Sequence, residues 1–460
     1  MSTFQPVRSD IDSATVLAEF VENLEYETIP ESVLAALRLN LADTLGVIVG
    51  ARGMPHADKV IAAIRGAGTG GPASVFGYGF TTSVAEAALA NGFLGHAYDF
   101  DDASKFVHCG CVIVPALAAL SDARPVTARD FMTALVAGYE TAVRVGWAAG
   151  PRHRKRGFHP TGTCGIFGAT AGAARLGGLT TAEISSALGF AGSMASGITR
   201  YRMDGSANKH LHAGLGARNA VTAAQLAAQG LDGSSDIFEG EQGFLAVFAD
   251  GGDPRYLTEG LGETFCCTDA DIKPYPSCRQ THGAVDIALG IAGDPAFDPA
   301  DIADVEVRIY TYAAQDWYAK NDVPDTWLET LLRIPYCTAA CLRFGRIGID
   351  VFGDEARSDP LLRYIVSRTH VVPEPEFDVN WPDDRPAAIR VTLRDGRIFE
   401  GSITRPSGSE GTPLGTDKVF EKFASLYSLG FPDRDASAAF DAVTGMNPDH
   451  GIGSVLEHFV

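Results

Sequence analysis

Ser32-Val33-Leu34-Ala35-Ala36-Leu37-Arg38-Leu39-Asn40-Leu41-Ala42-Asp43-Thr44-Leu45-Gly46-Val47-Ile48-Val49 sets Val33, Leu34, Leu37, Leu41 and Leu45 at the three- and four-residue steps of one helical face. Ser32 stands where a helix N-cap belongs. The same periodicity recurs over Val84 to Tyr98 and Ala128 to Trp147, so the first 250 residues read as helices. Thr127 and Thr180 each precede an acid by three residues, Asp130 and Glu183, and only the second pair is a standard capping box. Alanine and glycine crowd Gly165 to Gly178 and Ala213 to Gly230, which predicts helices packed backbone to backbone in a dense bundle. A membrane-style small-residue interface is the competing account, but Arg, Asn or Gln interrupts both stretches.

The grammar changes after Lys273. Val305, Val307 and Ile309 alternate with charged residues, and Ile389, Val391 and Leu393 alternate ahead of an Asp395-Gly396 turn into Ile398, which is strand and hairpin patterning. Thr326 to Phe344 reads as a helix between them, so residues 273–405 form a separate α+β unit after a helical unit of residues 1–272. Arg405 to Gly415, with two prolines and three glycines, reads as a linker, and Asp417 to Phe423 opens a C-terminal segment, residues 406–460, that returns to helix.

At 460 residues the chain exceeds what one core organises and implies two or three domains, and 46% hydrophobic residues allow a large interior. A formal net charge of −20 argues against nucleic acid or an anionic membrane as partner, because phosphate binding needs a basic surface. The start, Met1 to Asp10, lacks a basic-then-apolar signal pattern, and the longest uninterrupted apolar run, Cys111 to Leu120, is too short to span a bilayer. A soluble, cytoplasmic protein is expected. The eight cysteines fit reduced core thiols; neither Cys109-Gly110-Cys111 nor Cys266-Cys267 has the C-x-x-C spacing of zinc or redox sites, and no metal is expected.

Four segments carry ionisable groups among small residues. Gly157-Phe158-His159-Pro160-Thr161-Gly162-Thr163 and Ser206-Ala207-Asn208-Lys209-His210-Leu211-His212-Ala213-Gly214 are the strongest pair, because His, Lys and a carboxylate move protons on and off carbon near neutral pH. His210 and His212, two apart, fall on different faces of a helix. Gly95-His96-Ala97-Tyr98-Asp99-Phe100-Asp101-Asp102, followed by His108, packs three carboxylates into four positions, and these cannot all be buried and ionised. Lys273-Pro274-Tyr275-Pro276-Ser277-Cys278-Arg279-Gln280-Thr281-His282 offers Lys273 and Arg279 beside a helix start, suited to carboxylates. The basic run Arg152-His153-Arg154-Lys155-Arg156 reads equally as a steering patch or a solvated loop.

Together with Leu41-Ala42-Asp43-Thr44-Leu45-Gly46 and Asn91-Gly92, these motifs follow one another in an order that resembles the MmgE/PrpD family, which includes 2-methylcitrate dehydratase, cis-aconitate decarboxylase and iminodisuccinate epimerase. The resemblance implies a mainly α protein: a large helical domain from both chain ends, a smaller α+β lid domain, a homodimer, and a cofactor-independent site between the domains. Carried over, the catalytic positions fall on Asp99, His108, His159, Lys209 and His282. Two departures stand out: Ala103 occupies a position that is threonine in decarboxylase-like members, and Val107-His108-Cys109-Gly110 replaces the commoner His-Pro.

The chemistry implied is proton traffic at a carbon beside a carboxylate, which needs an anion clamp and a base. Lys209 and Arg279, helped by Lys273, Arg200, Arg202 and His212, are expected to bind a small di- or tricarboxylate. His159 is expected as the leading acid/base, with His108 or His282 on the other side and Asp99 orienting a histidine. Loss of water is the leading outcome, with loss of carbon dioxide or epimerisation as alternatives and a non-catalytic dimeric acid-binding protein as the reading outside catalysis.

Overall fold

The apolar face from Val33 to Leu45 folds as helix α1 (Glu31–Gly50) in the computed structural model of the chain, which describes residues 12–460 apart from Glu410. The stretch Met1 to Asp10, whose sequence lacks a signal pattern, lies outside the described residues. Pro30, not Ser32, occupies the N-cap, and no side chain caps that end. By length and composition α1 could cross a bilayer, although Arg38, Asn40 and Asp43 break its apolar run and so hide this in the sequence. Its surface is core: 14 of its 20 residues are buried, Asn40 donates to Asp102 at 2.8 Å, and Asp43 pairs with Lys422 at 2.6 Å.

The chain is mainly α. After α1 come α2 (Val84–Gly95), α3 (Gly110–Asp122), α4 (Ala128–Lys155), α5 (Gly165–Gly177) and α6 (Asn208–Ala227). The small residues do what their crowding suggested. A Cβ on Gly92 of α2 would stand 2.8 Å from the Gly214 Cα of α6, and one on Gly168 of α5 would stand 2.4 Å from the Gly138 carbonyl of α4, so larger side chains would force these helices apart. α2 ends at Gly95, short of the expected Tyr98. α4 runs beyond Trp147, kinking where Gly150 adopts φ 63° ahead of Pro151, and so takes the basic run into its last turn. Thr127 and Thr180 cap their helices, the second in a complete capping box.

α7 (His282–Ala292), α8 (Ile334–Phe344) and α9 (Thr416–Gly430) complete the long helices that position the site. The expected helix from Thr326 to Phe344 is two, Trp327–Leu332 and α8, parted at Arg333 just ahead of Pro335, whose ring disfavours continuation of a preceding turn. Strand β1 (Ile302–Ile309) pairs in parallel with β2 (Thr369–Pro373) and antiparallel with β3 (Ala387–Leu393), which turns through Asp395-Gly396 into β4 (Ile398–Ile403), giving the order β2-β1-β3-β4. Val305, Val307 and Ile309 face inward, as alternation predicted.

Two hydrophobic clusters result. One joins α1–α6 to residues 419–459 and the other gathers residues 278–393 with Tyr201. α9 is the physical link from the C-terminal segment to α1, since Phe423 lies where a Cβ on Gly46 would clash. The polar segments meet between these two clusters.

Candidate active site

Between α2 and α3 the chain turns sharply, and Asp99 takes φ 50°, the left-handed region that non-glycine residues seldom occupy. Two lysines hold it there. Lys273 Nζ donates to Asp99 Oδ1 at 2.6 Å, to the Asp99 carbonyl at 2.7 Å and to the Ser277 carbonyl at 3.3 Å, which occupies all three of its protons. Lys209, in the first turn of α6, reaches the same Oδ1 at 2.8 Å and meets no other acceptor among the described residues, so its remaining protons are open to a ligand. Burial alone would raise the Asp99 pKa, but the two ammonium groups hold it well below the carboxylate range.

The neighbouring carboxylates divide the remaining work. Asp102 is structural: it accepts from Asn40, from the Tyr139 hydroxyl at 2.7 Å and from Gly110 N at the start of α3, and burial raises its pKa against those hydrogen bonds. Asp101 pairs with two imidazoles. Both its oxygens accept from His96 Nδ1, at 2.8 and 3.0 Å, and His108 Nδ1 lies 3.1 Å away; burial raises its pKa, but His96 and His108 hold it well below the ordinary value. All three carboxylates are therefore buried, and Asp102 is the one whose ionised form is disfavoured. Neither Asp101 nor Asp102 is left to solvate the helix end.

His96 is the residue that sequence reading passed over. It is fully buried and its Nε2 has no partner. Its ring stacks on His159 at 5.6 Å and meets His108 edge-on at 4.8 Å. Burial lowers its pKa to about 4, with Lys209 pushing the same way against Asp101. The only signal for it was its place in the quoted Gly95 to Asp102 segment.

His159, at the head of the short Pro160–Thr163 helix, sits 3.1 Å from His212, Nδ1 to Nδ1, so one ring donates and the other accepts. Its pKa falls well below 6.5 through burial and then the charges of His212, His96 and Lys209, while burial brings His212 to about 4. The Tyr201 ring lies 5.3 Å from His159. As expected of residues two apart, His210 points elsewhere, donating from Nδ1 to the His96 carbonyl at 2.7 Å.

Of the expected residues, Asp99, His108, His159, Lys209, His212 and Lys273 thus converge. His282 and Arg279 lie at the edge and are already engaged. Arg279 donates to His282 Nδ1, to the Ser407 carbonyl and to Ser409, and lies 3.4 Å from Asp271, which ties the Arg405–Gly415 linker down. His282 donates its other ring nitrogen to the Ser277 carbonyl at 3.2 Å. Neither keeps a clear proton-transfer edge. Arg202 is buried beside Tyr201, whereas Arg200 is two-thirds exposed. Cys109 and Cys278 are buried free thiols.

His96, Asp101 and His108 bring ligand atoms within 4.8 Å of one another, a donor set that a divalent metal accepts. The positive charges of Lys209 and Lys273 act on these histidines and oppose a cation there. What the arrangement offers is acid-base chemistry: imidazoles kept neutral at pH 7, hence able to take a proton, around an ammonium group able to hold a carboxylate.

The MmgE/PrpD N-terminal domain matches residues 15–257 and the MmgE/PrpD C-terminal domain matches residues 275–445. The chain is 27% identical over 440 residues to the cis-aconitate decarboxylase-like protein oryM of Aspergillus oryzae, covering 90% of each chain. It is 28% identical over 360 residues to cis-aconitate decarboxylase of Homo sapiens, covering 73% of this chain and 71% of the relative. A mitochondrial 2-methylcitrate dehydratase of Yarrowia lipolytica is 30% identical over 143 residues, 29% of this chain and 26% of the relative.

Proposed function

Because the chain belongs to the MmgE/PrpD family, we propose that it is a lyase acting on a small di- or tricarboxylate by side-chain acid-base chemistry, and that its reaction is loss of water from a hydroxy acid. The observation that carries this reading is the meeting of Lys209, with protons to spare, and a set of buried imidazoles whose proton affinity is lowered. Lys209 binds a carboxylate of the substrate. His159 takes the proton from the adjacent carbon, and Lys209 stabilises the enolate-like charge that develops on that carboxylate. His108 or His96, both held by Asp101, receives that proton from His159 and passes it to the departing hydroxyl, so that each imidazole ends neutral as it began. The carbon–oxygen bond breaks, an alkene forms and water leaves. Asp99 sets the position of Lys209, while Lys273, Arg279 and His282 brace the loop.

Loss of carbon dioxide is the second reading, favoured by relatives aligned over most of their length that are named as decarboxylases or decarboxylase-like. That reaction needs a proton donor but no base, so the excess of neutral imidazoles favours dehydration. A proton NMR time course in deuterated buffer with 2-methylcitrate, citrate, cis-aconitate and iminodisuccinate separates the outcomes. A new alkene signal from a hydroxy acid supports dehydration, and itaconate from cis-aconitate replaces it with decarboxylation. Deuterium exchange with the formula retained sinks the lyase reading. Turnover should fall about 100-fold or more in His159→Ala and Lys209→Ala; if both stay within a few fold in a folded protein, neither side chain has the role proposed for it.

A further inference from the structure

The basic run at the end of α4 is sorted by the helix into different environments. Arg152 and Arg156 are exposed and hydrogen-bond the carbonyls of Asp250 and Val247. His153 is buried between the Phe248 carbonyl and Thr163. Arg154 turns inward, its guanidinium 5.6 Å from the Tyr312 ring and its Nε buried without a partner. Arg202, only 7% exposed, comes from the short Tyr201–Asp204 helix into the same group of rings, 5.9 Å from Tyr201 and Trp317 and 6.0 Å from Tyr318. One of its guanidinium nitrogens and the Tyr312 hydroxyl are likewise buried without partners.

No carboxylate among the described residues comes within ion-pair distance of Arg154 or Arg202. Of the other buried arginines Arg144, Arg279 and Arg333 each have such a partner, while Arg385 has none among the described residues and donates to the Lys105 carbonyl at 3.1 Å; Arg154 and Arg202 are the two that also stand side by side among rings. Two guanidinium groups held near one another in a low-dielectric setting repel, and aromatic faces offset only a small part of that and of the lost hydration. Burial works to raise the Tyr312 pKa, yet Arg154 and Arg202 bring it below the ordinary phenol value, a sign of uncompensated positive field. Tyr201 separates the arginines from the acid-base pair, with its ring 5.3 Å from His159 and 6.0 Å from His212. A cavity of about 360 Å³ is walled by Gly157, Thr199, Arg202 and Trp317 together with Arg156 and Arg200, large enough for a small organic acid and opening beside Arg202.

We propose that Arg154 and Arg202, with the Tyr312 hydroxyl, form a receptor for a substrate carboxylate remote from the reacting carbon, so that the site selects acids carrying one carboxylate for Lys209 and at least one more for the arginine pair. This rests on the lyase reading of the site and extends it. Guanidinium forks suit the bidentate geometry of a carboxylate, and a ligand carboxylate supplies the counter-charge that the chain withholds. An acid with a single carboxylate cannot span both positions.

The test uses two unreactive probes, propane-1,2,3-tricarboxylate and butyrate, titrated by NMR into the full-length parent and into Arg154→Gln, Arg202→Gln, Arg202→Lys and Lys209→Ala, with folding checked by circular dichroism. Each Arg→Gln change is expected to weaken the tricarboxylate about 10- to 100-fold and to leave butyrate within about twofold, while Lys209→Ala weakens both. Arg202→Lys, which keeps the charge and loses the fork, should fall between parent and Gln and decides the matter if a Gln variant does not fold. Tricarboxylate binding within twofold of the parent in the folded arginine variants overturns the receptor. Arginine-dependent binding without turnover of any acid would overturn the lyase reading and leave the receptor standing; turnover indifferent to the arginines would do the reverse.

Discussion

Lys209 and Lys273 share one carboxylate of the chain, whereas Arg154 and Arg202, on the far side of Tyr201, share none. The difference shows which charges the fold completes for itself. Asp99 neutralises half of the lysine pair and fixes both ammonium groups at 2.6–2.8 Å, so that cluster is rigid before any ligand arrives, with one positive charge left over. The arginine pair has aromatic faces around it and no paired carboxylate among the described residues, so in the receptor proposed above it is completed by an anion. Preorganisation at the reacting end and open charge at the recognising end is the division expected where the catalytic geometry must be tight and the substrate supplies the rest.

Breaking the paired side should give the largest effect. Asp99→Asn keeps the shape, and asparagine tolerates the left-handed backbone, but two buried ammonium groups are left without a counter-charge. The expected loss of stability is about 3–5 kcal/mol, measured by denaturant unfolding, with turnover abolished. A loss under about 1 kcal/mol would mean that the lysines rearrange to water and that the pair is not a unit.

The surplus charge of the lysine pair also reaches the imidazoles, which gives a sharper and smaller test. His96 falls to about 4 from an ordinary 6.5 through burial, with Lys209 lowering it further and Asp101 opposing. Its folded-state pKa lies below the unfolded value, so the unfolded chain takes the proton first. The stabilisation is full above pH 6.5 and lost as pH falls towards 4. Asp43 and Asp271, raised to about 7 chiefly by burial, act in the opposite direction over the same range, so the informative quantity is a difference. The stability of the parent minus that of His96→Gln should drop by roughly 3 kcal/mol between pH 6.5 and 4. A difference that does not move with pH would show that His96 titrates normally.

How much of this was legible in the sequence follows the reach of each interaction. Helical faces, the Thr127 and Thr180 caps, the Asp395-Gly396 hairpin and the backbone-to-backbone packing of Gly92 on Gly214 are set by residues a few places apart or by side chains too small to keep helices apart. The segments bearing Asp99, His159, Lys209 and Lys273 announced themselves by composition. What stayed hidden depends on distant partners. Lys422 reaches Asp43 and the Phe100 carbonyl from the far end of the chain, and Arg154 departs inward from a run that reads equally as a steering patch or a solvated loop. Arg279 and His282 look like free site groups until Ser277, Ser407 and Ser409 are seen to occupy them. His96 had no spacing to mark it, because its partner Asp101 is bound through a turn rather than along a helix face.

Arg200 supplies the smallest and most discriminating expectation. In sequence it is the equal of Arg202, two residues away and equally basic, and both were expected to help the clamp. In the fold Arg202 is 7% exposed among rings, while the Arg200 side chain is 67% exposed and stands 3.9 Å from Asp204, itself 47% exposed. An ion pair in that setting is screened and contributes little. Arg200→Ala should therefore leave both tricarboxylate affinity and kcat/KM within about twofold of the parent, under conditions where Arg202→Gln does not. If Arg200→Ala instead lowers kcat/KM strongly at low salt and the loss fades as ionic strength rises, the exposed arginine steers anions to the cavity. The contrast between the arginines would then be one of encounter against binding, and the paired and unpaired clusters would have a third, outer charge acting before either.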